Sequence, residues 1–86
     1  MKIEKEFVLR NIGGDYVLIP VGDTVAHFNG LVNINEVGAF LWEQLQEETT
    51  KEELIEAVLE EYEVDRETVE ADVTEFLKNL SERGII

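Results

Sequence analysis

Cysteine is absent from this chain, and histidine, serine and proline occur once each, as His27, Ser81 and Pro20. Without cysteine there is no disulfide framework, no thiolate metal site and no cysteine nucleophile. His27 has no second imidazole or thiolate with which to share a metal ion. Ser81 stands in Leu80-Ser81-Glu82, near the end of the last amphipathic segment, with no nucleophile elbow around it. Gly13-Gly14 is too short to cradle a phosphate and no helix follows it. Carboxylates abound, but they fall on helix faces that read as solvated. No catalytic residue, metal ligand or cofactor is expected, and the chain is not expected to be an enzyme.

Positive charge is scarce too. Seven Lys and Arg stand against 20 Asp and Glu, a formal net charge of −13. Between Glu47 and Glu75 only Lys51 and Arg66 are basic. Nucleic-acid affinity comes largely from neutralising phosphates with a basic patch, so no nucleic acid is expected as a partner. No run of about 18 apolar residues is available for a membrane span. The opening Met1-Lys2-Ile3-Glu4-Lys5-Glu6 lacks the apolar centre of a signal peptide. A cytoplasmic, monomeric protein is the expectation, its acidic surface keeping copies apart.

What is present is a core. The apolar fraction is 44%, and residues 1–86 are enough for one domain and too few for two. The first third reads as strands. Phe7 to Arg10 and Tyr16 to Ile19 flank Asn11-Ile12-Gly13-Gly14, whose glycines permit a tight reversal, and Pro20 marks a strand end or an edge. The rest reads as three helices, capped by Asn35, Thr50 and Asp65. Their apolar stripes run through Val37, Phe40, Leu41 and Leu45 with Trp42 on the flank, then Leu54, Ile55, Val58, Leu59 and Tyr62, then Val69, Val73, Phe76, Leu77 and Leu80. Phe40, Leu41, Val58, Val73, Phe76 and Leu77 are the expected core. Gly38 interrupts the first helix, which a close approach by another element would explain. Gly84 fits the left-handed position after the last helix, with Ile85 and Ile86 folding back onto the core. Strands followed by amphipathic helices give an α+β fold with the helices on one face of an antiparallel sheet.

Thr24 to Asn35 stands apart, because it carries no charged residue in so acidic a chain. Its Val, Phe, Ile and Thr favour strands, and Asn29-Gly30 is a hairpin signal between Val25–Phe28 and Leu31–Ile34. Such a segment is either an inner part of a small sheet or an edge open to an added strand.

Taken in order, Leu31-Val32-Asn33-Ile34-Asn35-Glu36 runs into Val37-Gly38-Ala39-Phe40-Leu41-Trp42. An acidic capped helix from Thr50 to Tyr62 follows, and Val64-Asp65 opens a last helix ending Leu80-Ser81-Glu82-Arg83-Gly84-Ile85-Ile86. From about Phe7 onward this resembles the PqqD family, named for coenzyme PQQ (pyrroloquinoline quinone) synthesis protein D. The resemblance implies a winged-helix-like module of three strands, or four if Val25–Phe28 also pairs, followed by three helices. It implies a non-catalytic protein that binds the leader of a ribosomally made precursor peptide. The leader would then be presented to a maturation enzyme, typically a radical S-adenosylmethionine enzyme, in coenzyme PQQ biosynthesis or a related pathway. The leader is expected as an antiparallel strand beside Leu31, Val32, Asn33 and Ile34, against a wall formed by the last helix. On that helix Asp72, Glu75 and Asn79, with Phe76 as floor, are the expected peptide-facing residues, and Glu70 and Thr74 mark the alternative flank. The passage from Asp23 to Gly30 is longer than the family pattern. A winged-helix DNA-binding or transcription-associated domain is the alternative function, and the acidic last helix opposes it.

Overall fold

The computed structural model describes residues 1–28 and 30–86, and within them the predicted α+β order is present. Three strands, β1 (Phe7–Ile12), β2 (Asp15–Pro20) and β3 (Val32–Ile34), form an antiparallel sheet in the order β1-β2-β3. Three helices follow, α1 (Glu36–Gln44), α2 (Lys51–Glu61) and α3 (Arg66–Glu82). The β1–β2 reversal pairs Ile12 with Asp15 around Gly13 (φ 61°) and Gly14 (φ 90°). Two positive φ values in a two-residue loop match the twist of the flanking strands, which is why glycine occupies both places. Asn11 Oδ1 accepts a hydrogen bond from the Gly14 N–H at 3.1 Å and helps close the turn. Pro20 ends β2, beyond the three residues that pair with β3.

Each helix starts at its expected cap. Asn35 Oδ1 accepts from Gly38 N–H at 2.7 Å, Thr50 Oγ1 from Glu53 N–H at 3.1 Å, and Asp65 Oδ2 from Thr68 N–H at 3.2 Å. These bonds satisfy amide donors that a helix start leaves unpaired. At the far end of α3, Gly84 takes φ 74°, its N–H reaches Ser81 O at 3.1 Å, and Ile85 N–H reaches Leu80 O at 2.9 Å. That double bond pattern is a Schellman cap, and it turns Ile85 into the core at 1% exposure. Ile86 does not follow; it is exposed.

The core lies between the sheet and the helices. Leu18, Leu41, Leu45, Leu54, Val58, Val73, Leu80 and Ile85 are its fully buried members, with Trp42 almost as deep. Three residues expected in the core, Phe40, Phe76 and Leu77, are only half-buried and pack on its boundary. Their stripe positions lie at the margins of the helical faces, and Phe40 closes edge-on against Tyr62 with ring centres 5.6 Å apart.

The fourth strand is not formed. Gly22–Ala26 is a short 3-10 helix, and Val25 is exposed at 58%. Thr24 is buried, and its Oγ1 accepts the Glu6 N–H at 2.9 Å. Phe28 meets Phe7 edge-on, with centres 5.0 Å apart, and Phe7 in turn meets Trp42 at 5.7 Å. These contacts tie the longer connection to the entrance of β1, so strand propensity yields to tertiary packing. Of the predicted Asn29-Gly30 turn, Asn29 lies outside the described residues, and Gly30 takes φ 96°.

Candidate functional site: a groove between a sheet edge and the last helix

β3 has three residues and ends at the Asn35 cap of α1. It pairs with β2 through Tyr16–Ile34, Val17–Asn33 and Leu18–Val32, and its outer side is an edge of the sheet. Val32 turns into the core while Asn33 is exposed, the alternation expected of a half-buried strand. None of the three residues carries a charge to guard the edge.

Beside that edge runs a groove of about 290 Å³, open to solvent. One wall is β3 with Asn35, and the other is α3. The floor is closed by Val37, Gly38 and Leu41 at the start of α1 together with Phe76 of α3, which packs against Gly38. Gly38 has a structural reason here. A Cβ at that position would stand 3.2 Å from Ile34 Cβ and 3.2 Å from Phe76 Cε1, so the absence of a side chain lets α3 lie close to the β3–α1 junction.

Seven of the eight residues expected from sequence line this one groove: Val32, Asn33, Ile34, Asp72, Glu75, Phe76 and Asn79. Leu31 does not; it precedes β3 and is exposed at 58%. The alternative flank of α3, Glu70 and Thr74, borders a hollow shared with Lys51, Glu52 and Ile55 of α2, and Glu75 and Asn79 border both that hollow and the groove. Thr74 Oγ1 donates back to Glu70 O within α3 at 2.7 Å. Sequence reasoning missed Arg83, which also lines the groove. The signal was available, since Asp72, Phe76, Asn79 and Arg83 are spaced by four, three and four residues along one helix face.

The groove's charges are uncommitted. Among the described residues, Asp72, Glu75 and Arg83 have no ion-pair partner. No group of three His, Cys, Asp or Glu able to hold a metal ion occurs among the described residues, and no helix there is long and apolar enough to cross a membrane. An uncharged sheet edge, an apolar floor and a polar rim can hold an extended peptide.

Comparison with known proteins gives the family and the fold. The family model of Coenzyme PQQ synthesis protein D (PqqD) matches residues 6–86. The chain belongs to the PqqD family. Two solved structures share its fold. One, described as TbiB1 in complex with the TbiA(beta) leader peptide, is 33% identical, with a TM-score of 0.73 over 99% of this chain and 93% of that one. The other, lasso peptide synthetase B1 complexed with the leader peptide, is 20% identical, with a TM-score of 0.70 over 98% and 93%. A search of curated proteins returned no match.

Proposed function

We propose that this PqqD-family chain is a leader-peptide-binding module that captures an extended segment by adding it to the free edge of β3. The observation that carries the reading is the coincidence of that edge with a groove walled by α3. Backbone pairing along Val32–Ile34 supplies affinity that does not depend on sequence, and the α3 wall and Phe76 select side chains. The 33%-identical neighbour, described in complex with a leader peptide, supports the same occupant.

The module itself carries out no chemistry in this reading. It delivers the leader to a maturation enzyme, of the radical S-adenosylmethionine type that the family resemblance implies, in coenzyme PQQ biosynthesis or a related peptide-modification pathway. A DNA-binding role finds no support, because α3 presents Glu67, Glu70, Asp72 and Glu75 where phosphates would have to approach.

Titration of fluorescently labelled precursor-peptide leaders, paired with hydrogen exchange, tests the reading. Saturable binding should protect the amides of residues 32–34. Protection confined to α2 would refute β3 as the receiving strand. Co-purification of a candidate enzyme that improves when leader is added would support delivery.

A further inference from the structure

The two ends of the groove differ in charge, and the fold fixes which end is which. Phe76 lies at the Ile34 end, since Gly38 is held within reach of both Ile34 and Phe76. Arg83 lies at the other end: besides the groove it lines a neighbouring hollow with Thr24, His27 and Phe28, the residues that lead toward Val32. That hollow also carries Glu4, Glu6 and Asp23, so among the described residues Arg83 is the one cation on the groove itself, at an end with carboxylates beyond it. Helix α3 therefore runs opposite to β3, with Asp72 and Glu75 toward the Ile34 end and Arg83 toward the Val32 end. From Asp72 to Arg83 the helix advances roughly 16 Å at 1.5 Å per residue, the span of about five residues of extended chain.

We propose that the groove reads the direction of its peptide through charge order, an inference that rests on strand addition at β3. The existing sheet is antiparallel throughout, and antiparallel pairing is the more stable kind per residue. A strand added to β3 in that sense enters at the Ile34 end and leaves at the Val32 end. It therefore meets Asp72 and Glu75 first and Arg83 last. Side chains that face α3 recur at every second position. The preferred segment then carries a basic residue, an apolar residue two places later over Phe76, and an acidic residue two or four places after that, since Phe76 and Arg83 are roughly 10 Å apart along the helix. The reversed order puts like charges together at both ends, and the free state of Asp72, Glu75 and Arg83 leaves them available to discriminate.

Selection of a phage-displayed library of random linear peptides on the immobilised full chain, followed by titration, tests this. Enriched sequences should place Lys or Arg on the N-terminal side of an apolar residue and Asp or Glu on its C-terminal side. Exchanging the two charged ends in a synthetic copy of the best sequence should weaken binding roughly fivefold to tenfold at low salt, less at high salt. In a repeat selection, Arg83→Gln should lose the acidic preference while keeping the basic one. Enriched peptides without charge order, or with the opposite order, would overturn the directional inference and leave peptide capture standing. No enrichment over an unrelated acidic bait would overturn both.

Discussion

Helix α3 bears carboxylates on both flanks and uses them in two ways. Toward α2, Arg66 gathers Glu52, Glu56 at 2.8 Å and Glu70 at 3.2 Å into one ion-pair cluster, and the Glu56 contact holds the guanidinium pKa above its ordinary value. Toward β3, Asp72, Glu75 and Arg83 stand without such partners among the described residues. One flank is spent on joining two helices of a small acidic protein. The other leaves its charges unpaired, beside the longest uncharged stretch of the sequence, and in the proposed reading they meet an incoming chain. Similar residues on a single helix thus divide into an internal fastening and, in the proposed reading, a recognition surface, according to what each flank faces.

The division breaks most severely if the packed side is hollowed out. Leu54 of α2 is fully buried. Leu54→Ala should cost about 2–5 kcal/mol, a large share of a small domain's stability, and urea denaturation reads it directly. A midpoint equal to the parent's would show that α2 does not hold α3 in place. Next in size is Phe76→Ala, which empties the groove floor from a half-buried position. Leader affinity should fall at least about tenfold, or 1.4 kcal/mol, while stability falls less than in Leu54→Ala. Unchanged binding would move the floor away from Phe76.

The packed side was the more legible in the sequence, because its signals are local. Asn35, Thr50 and Asp65 each bond an amide three residues ahead, so caps and helix starts follow from spacing alone. Gly13-Gly14 and Gly84 likewise announce conformations that other residues resist. Val25–Phe28 misled because strand propensity measures fit to a pleated surface, whereas here Thr24 and Phe28 are claimed by Glu6 and Phe7, some twenty residues earlier. The groove was legible in its members but not in its geometry. Periodicity identifies two flanks of α3, and only the tertiary path of β3 decides which one borders the edge. Arg83 escaped notice because it sits at the cap of α3, where it reads as the end of a helix rather than part of its face.

On the recognition flank, the double variant Asp72→Asn with Glu75→Gln sharpens the comparison by removing charge and keeping shape. For a leader with basic residues, affinity should fall by about 1 kcal/mol at low salt and converge with the parent's at high salt, chiefly through the association rate. Circular dichroism and melting should stay with the parent, since neither carboxylate is tied to another part of the described fold. An unaltered salt response would assign the affinity to backbone pairing and the apolar floor.

The smallest expected effect lies at the start of α3, where both flanks begin. Asp65 accepts from the Thr68 hydroxyl at 2.7 Å and from the Thr68 N–H, bonds that hold its carboxyl below the usual carboxylate range. A carboxylate with a lowered folded-state pKa adds stability above its unfolded value of about 3.9, and that contribution is lost as pH falls through the lowered value. Asp65→Asn keeps an acceptor for the Thr68 N–H but cannot ionise. The parent should therefore melt slightly above the variant at pH 6, and the gap should close toward pH 2. The other carboxylates titrate in both proteins, so the difference between their melting curves isolates this cap. A gap that persists unchanged into acid would mean that Asp65 caps α3 through shape alone, with its charge contributing nothing to either flank.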